Sequence, residues 1–145
     1  MREILFRGKD KDDLKWYEGG YYPYTVTTYC CTEDYALHPE NTRHYILFDR
    51  MTDWGLPNQH YRAEIIPETL AQYTGLKDKN GKRIFEGDIV RGKDNLEKAL
   101  EVYGHISHEN GSFVIVGEFM THYRWLDYEV EVIGNIHDNP ELLEV

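Results

Sequence analysis

The stretch from Gln72 to Val90, QYTGLKDKNGKRIFEGDIV, constrains the fold of this chain more than any other. It combines three glycines, a dense group of charged residues and an apolar strand. Asn80-Gly81 predicts a tight β-hairpin turn, because both residues tolerate the positive φ angles that such turns require. A Walker phosphate loop would continue from its lysine with Ser or Thr into a helix, whereas Lys82-Arg83 leads into a strand. A calcium loop is disfavoured because lysines surround the oxygen donors. We therefore interpret the stretch as architectural.

The residues on either side of this turn predict the neighbouring elements. Pro67 suits the first position of a short helix, PETLAQYT, and Gly75 suits its left-handed end. Gly87 predicts a bulge, or the close approach of another segment, where the strand at Asp88 begins. Glu86 and Asp88 share a strand face, which we interpret as a hydrated sheet edge, or as partners for Lys82 and Arg83, rather than as an acid–base pair.

The last third of the chain predicts antiparallel strands. EVYGHIS and SFVIVGEF flank the turn HENG and are typical of a hairpin. YEVEVIGNI alternates apolar and acidic residues, so Tyr128 and Val130 should point towards a core. Gly134 and Asn135 end this strand, and Pro140 should occupy the first position of a terminal helix.

The aromatic content supports the same fold class. Aromatic residues make up 14% of the 145 residues, and Tyr and Trp favour strands and half-buried positions. The sequence therefore predicts a mainly β fold with short helices, arranged as a small barrel or sandwich. We expect a single domain, 1–145, with an N-terminal β lobe at 1–70 and a barrel lobe at 71–145. A helical turn is also expected at DNLEKAL, from Asp94 to Leu100.

The charge balance limits the classes of partner. The formal net charge is −10, from 16 basic and 26 acidic residues. Because affinity for a phosphate backbone comes largely from Lys and Arg, we expect no non-specific binding to nucleic acid or to anionic membranes. No apolar run has the length of a signal peptide or a membrane-spanning helix. Cys30 and Cys31 are adjacent and should be free thiols. We therefore expect a cytoplasmic protein.

No group of residues predicts catalysis or a bound metal ion. His105 and His108 lie three apart, so they face opposite sides of a strand, and two ligands are too few for a structural zinc. His137-Asp138 precedes a predicted helix cap, where Asp is common for backbone reasons. The serines lack the glycine elbow of a nucleophile. We expect neither an enzyme nor a cofactor.

One aromatic segment, GEFMTHYRWLDY from Gly117 to Tyr128, predicts a contact surface. It holds large apolar residues with few charges between them, and Trp and Tyr dominate the hot spots of protein interfaces. For each tryptophan, a buried core position is the alternative. The candidate interface residues are Trp54, Phe119, Met120, Tyr123, Trp125 and Tyr128.

Two segments, QYTGLKDKNGKRIFEGDIV and VEVIGNIHDNPELL, resemble the signature of the YopX family, which occurs in bacteriophages and prophages. MREILFR and IPETLAQYTG are similar to further segments of that family. The resemblance implies a β-rich fold with an SH3-like barrel element, and assembly into homo-oligomers. It implies no catalytic residues.

These observations together predict a phage or prophage accessory protein in the host cytoplasm. It would act by assembling with copies of itself and by binding a phage or host protein. The alternative is a nucleic-acid-binding module that uses the SH3-like element. The phosphate contacts would then come from Lys77, Lys79, Lys82, Arg83 and Arg91.

Overall fold

The structure, a computed structural model, describes residues 1–95, 100–125 and 128–144. These residues are mainly β, which confirms the expected fold class. The helical turn expected at DNLEKAL falls largely on 96–99, outside the described residues. The strands are β1 (Phe6–Lys9), β2 (Trp16–Thr25), β3 (Thr42–Arg50), β4 (Gln59–Glu64), β5 (Ala71–Lys77), β6 (Arg83–Phe85), β7 (Asp88–Asp94), β8 (Glu101–Glu109), β9 (Ser112–Gly117), β10 (Thr121–His122) and β11 (Tyr128–Asn135).

The helices are short. The α-helix α1 spans Thr32–Leu37, and 3-10 helices span Pro39–Asn41, Pro67–Thr69 and Pro140–Leu143. Pro140 occupies the first position of its helix, as the sequence predicts. Proline suits this position because its missing N–H would have no partner within the helix.

The chain divides into two compact units, and the first comprises Leu5–Leu70. Its strands pair antiparallel in the order β4-β3-β2-β1. Ile46 of β3 and Ala63 of β4 face each other across the ladder, and both are buried. Pro23 pairs with His44 of β3 in a part of β2 that lies beyond the β1 ladder. Its missing N–H therefore costs the unit no ladder hydrogen bond.

The second unit comprises Met1–Ile4 and Ala71–Val145. β5 pairs with β6, and the other strands form a five-stranded antiparallel sheet in the order β10-β9-β8-β7-β11. Apolar side chains from these strands pack into one core. Its buried members are Ile84, Val90, Val102, Ile106, Ile115, Trp125 and Val130.

The five-stranded sheet curls until side chains of its two outer strands touch. His122 of β10 and Tyr128 of β11 pack edge to face, with 5.5 Å between ring centroids. The Tyr128 hydroxyl lies 3.5 Å from Nδ1 of His122. Among the described residues, β10 pairs only with β9 and β11 only with β7. Within the described residues the sheet curls without main-chain closure into a barrel, so the SH3-like element implied by the resemblance stays a prediction.

The prediction of a helix at PETLAQYT is wrong. A 3-10 turn at Pro67–Thr69 is followed, after Leu70, by β5, in which Ala71 and Tyr73 are buried and Gln72 between them is not. This alternation is that of a strand with one buried face. Gly75 has a φ of +88°, as predicted, but it lies within β5, where the register against β6 shifts. It forms a strand irregularity rather than a helix end.

Candidate contact surface

The turn predicted at Asn80-Gly81 is present in a different form. The Gly81 N–H donates to the carbonyl of Asp78 at 3.0 Å, and Gly81 has a φ of +81°, whereas Asn80 does not have a positive φ. These features define a type I turn followed by a glycine bulge. The two-residue turn with two positive φ angles occurs instead at Asn110-Gly111, where they are 51° and 81°.

The Asp78 carboxylate, which the sequence analysis did not single out, holds the first of these turns. Its Oδ1 accepts hydrogen bonds from the N–H groups of Asn80 and Lys82, both at 2.9 Å, and its Oδ2 accepts one from Val132 of β11 at 3.1 Å. The side chain is 7% exposed. Burial raises the pKa of this carboxyl, but the three hydrogen bonds outweigh it, so the pKa lies below the usual 3.8.

Gly87 and its neighbours form the buried turn between β6 and β7. Gly87 has a φ of +78°, and its N–H donates to the carbonyl of Ile106 at 2.8 Å, which confirms a close approach of another segment. Asp88 is 1% exposed and its Oδ2 accepts the Phe85 N–H at 2.8 Å. The hydrated sheet edge predicted for Glu86 and Asp88 is therefore wrong. Burial raises the pKa of the Glu86 carboxyl, which lies outside the strands.

Gly134 and Asn135 shape the end of β11. The register against β7 shifts just before Gly134, where a Cβ would collide with the side chain of Asn139. The Asn135 Oδ1 accepts the N–H groups of His137 and Asp138, at 3.0 and 2.9 Å. Such a side-chain-supported turn accounts for these two residues without any catalytic role.

Three of the candidate interface residues lie close together in the chain and are exposed. Phe119, Met120 and Tyr123 flank β10 and are 91%, 62% and 59% exposed. We call these three residues the Phe119 surface. Phe119 and Met120 line a groove of about 520 Å³. The apolar side chains that complete its lining are Tyr103, Val116 and Leu143.

The other three candidates do not belong to this surface. Trp125 is 5% exposed, and its Nε1–H donates to the carbonyl of Phe113 at 2.8 Å, so its assignment to an interface is wrong. Its ring packs in the core, and Tyr128 packs against that core from its margin. Trp54 is 95% exposed but lies in the first unit, in the loop between β3 and β4.

Three of the five basic residues of the nucleic-acid alternative contact carboxylates. Lys79 Nζ and Arg91 Nε both approach the Glu131 carboxylate, at 3.6 and 3.4 Å, and Arg83 lies 2.8 Å from Glu3. A cation already beside a carboxylate adds little attraction for phosphate. These ion pairs weaken the contribution of three of the five residues, and the alternative stays a prediction.

Neither metal-binding clusters nor membrane-spanning helices occur in the part of the chain that the structure describes. No three His, Cys, Asp or Glu side chains are grouped to hold a metal ion there. No described helix has the length and apolar character needed to cross a membrane. Cys30 and Cys31 are free and exposed, as predicted.

Comparisons with known proteins agree with this architecture. The YopX protein family matches residues 5–144. The crystal structure of protein EF1440 from Enterococcus faecalis is similar, with 26% identity and a TM-score of 0.50, over 99% of this chain and 100% of that chain. The comparison with curated proteins finds no match. The family match covers nearly the whole chain, so the chain belongs to the YopX protein family.

Proposed function

We propose that this chain is a phage or prophage accessory protein that acts in the host cytoplasm by assembling with copies of itself and binding a phage or host protein. The observation that carries the proposal is the exposure of the Phe119 surface. Soluble proteins rarely expose contiguous large apolar side chains unless the patch serves as a contact. The family membership supports the proposed phage origin.

The Phe119 surface combines an anchor with a neighbouring groove. Burying one exposed aromatic or methionine side chain contributes about 1.5–3 kcal/mol. Phe119 and Met120 therefore provide the apolar anchor that protein interfaces concentrate near their centre. The adjoining groove, of about 520 Å³, has room for a side chain from a partner.

Several main-chain groups near the two sides of the five-stranded sheet are already bonded, which disfavours contacts by strand addition. On β11, the Val130 carbonyl already accepts the Lys79 N–H at 3.0 Å, and the Val132 N–H donates to Asp78. At the opposite side of the sheet, the Phe113 carbonyl accepts the Trp125 indole. Edge groups that are already bonded do not recruit another strand. This favours the Phe119 surface as the contact of the second unit.

The test is a mass measurement with matched variants. Light scattering after size exclusion, at tens of micromolar, should give a multiple of the chain mass for the parent. Phe119→Ser with Met120→Ser should lower that mass. Leu37→Ser, a control at a 70% exposed position in α1, should leave it unchanged. A monomeric parent would refute self-assembly.

A further inference from the structure

β4 is the outer strand of the first unit, and its free side carries specific main-chain groups. The Ile65 N–H, just beyond β4, donates to the His44 carbonyl of β3 at 2.9 Å. Main-chain groups of successive residues alternate between the two sides of a strand. Odd-numbered residues of β4 therefore bond to β3, and the N–H and C=O groups of His60 and Arg62 point outward.

The outward carbonyl of Glu64 confirms this alternation. It accepts the Lys11 N–H at 3.0 Å, so this end of the edge is already bonded. Elsewhere β4 pairs only with β3 among the described residues. The side chains from Gln59 to Arg62 are all exposed. The open part of the edge is therefore centred on Tyr61.

A stack of aromatic rings runs across the sheet and ends at this edge. Tyr17 of β2 stacks on Phe48 of β3 with 5.0 Å between centroids, and Phe48 stacks on Tyr61 of β4 at 5.9 Å. The Arg50 guanidinium lies 5.1 Å from the centroid of the Tyr61 ring. Tyr61 is 39% exposed and has no further strand beside it in the described residues.

We propose that β4 pairs antiparallel with β4 of a second copy, about a two-fold axis at Tyr61. In this register His60 faces Arg62 of the second copy, and the symmetric pair repeats the arrangement. Each pair exchanges two main-chain hydrogen bonds through groups that already point outward. Tyr61 faces Tyr61 of the second copy in the narrow, non-hydrogen-bonded position. The two aromatic stacks then meet at the axis.

The edge complements itself in this register, as a two-fold interface requires, and this favours a second copy as its occupant. Centring the pair on Arg62 would place like charges directly opposite each other and would need the Glu64 carbonyl, which Lys11 occupies. Centring it on His60 would pair Arg62 with Asn58, outside the strand. With the axis at Tyr61, the outward groups of both His60 and Arg62 are paired. This register avoids facing like charges, the occupied Glu64 carbonyl and pairing outside the strand.

The loop 51–58 carries exposed apolar side chains and joins β3 to β4. It leads directly into β4, and hydrogen bonds alone give little net stability to an exposed pair of strands. Three large apolar side chains of this loop are mostly exposed. They are Met51 at 77%, Trp54 at 95% and Leu56 at 59%.

Disulfide formation tests the register directly. The inference rests on self-assembly in the proposed function and adds a second surface to it. In a Cys30→Ser, Cys31→Ser background, Tyr61→Cys should form an intermolecular disulfide on mild oxidation, because the facing Cα atoms lie about 4.5 Å apart. Gln59→Cys, which faces Ala63 of the second copy, should cross-link at least ten times more slowly. Equal rates would overturn the register.

A proline substitution tests the main-chain contacts. His60→Pro removes an outward N–H, leaves the bonds to β3 intact and suits an edge strand. It should halve the mass measured by light scattering. His60→Ala keeps the N–H but removes the ring and its contact with Asp49, so it should retain the parental mass. If circular dichroism shows that His60→Pro is unfolded, the disulfide test decides.

The outcomes separate this inference from the proposed function. A monomeric parent refutes both self-assembly and the β4 pair. An oligomeric parent in which Tyr61→Cys fails to cross-link, and folded His60→Pro keeps the parental mass, refutes the β4 pair alone. In that case the variants of the Phe119 surface would still lower the mass.

Discussion

Replacing Asp78 with alanine should lower the free energy of unfolding by about 2–4 kcal/mol. The carboxylate accepts three main-chain hydrogen bonds, two within its own turn and one from Val132. The turn residues Asn80 and Lys82 are exposed, so water can replace the carboxylate there. Loss of the two hydrogen bonds within the turn resembles loss of a helix cap and costs about 1 kcal/mol. The partly buried N–H of Val132 would lose its partner, which costs about 1–3 kcal/mol more.

Replacing Asp78 with asparagine separates the contribution of the hydrogen bonds within the turn from that of the bond to Val132. Asp78→Asn keeps one side-chain oxygen for the turn but places an amide opposite the Val132 N–H, where two donors meet. We expect it to cost about 1–2 kcal/mol, less than alanine. Asp53→Asn, at an exposed position in the loop 51–58, should change stability by less than about 0.5 kcal/mol.

Urea denaturation of the parent and the three variants provides the measurement, with circular dichroism to confirm folding. Equal midpoints for Asp78→Asn and Asp53→Asn would show that the bond to Val132 contributes nothing. A loss for Asp78→Ala that only matches the loss for Asp78→Asn would refute the separate contribution of the turn. Comparable slopes are needed, because they indicate that the same surface is exposed on unfolding.

Three further predictions concern the same turn. Because the folded pKa of Asp78 lies below the unfolded value of 3.8, its stabilisation is fully present above pH 3.8 and is lost as the pH falls through the folded pKa. In urea titrations the stability gap between the parent and Asp78→Asn should therefore stay constant at neutral and mildly acidic pH and shrink once the pH falls below 3.8. Gly81→Ala should cost about 1–2 kcal/mol from its φ of +81° alone, since a Cβ there meets open space. Lys79→Ala removes only a partly exposed ion pair and should cost less than about 1 kcal/mol. Thermal melts in which Lys79→Ala is the more damaging of the two would contradict this assignment.

The strands of the second unit are largely predictable because their patterns are local. Val130 is buried and Tyr128 packs beside it, as the alternation in β11 predicts. The helix predicted at PETLAQYT is wrong because Pro67 and Gly75, at a spacing that suits a helix, were given more weight than the alternation of apolar and polar residues. Ala71 and Tyr73 alternate with polar residues, which is the pattern of β5. Pairing with β6 decides between a helix and a strand here. The propensities of the residues in this segment give no information about that pairing.

The candidate site is less predictable because it depends on contacts between distant residues. Asp78 and Val132 are 54 positions apart, so nothing near Asp78 marks its carboxylate as buried. Phe119 and Trp125 have similar local surroundings, yet one is exposed and the other is in the core. The open side of β4 depends on which strand lies last in the sheet, and the sequence of a single strand does not specify that order.

The hydrogen bond between Asp78 and Val132 also has a consequence for the protein in acid or after substitution of Asp78. The turn that carries Asp78 covers main-chain groups of β11, and it does so through a group that titrates. Protonation of Asp78, or its replacement, removes the acceptor of the Val132 N–H and weakens the contact between the turn and β11. An unprotected strand edge would then be available to other molecules. We therefore expect light scattering to rise once the pH falls below 3.8, where the Asp78 carboxylate becomes protonated.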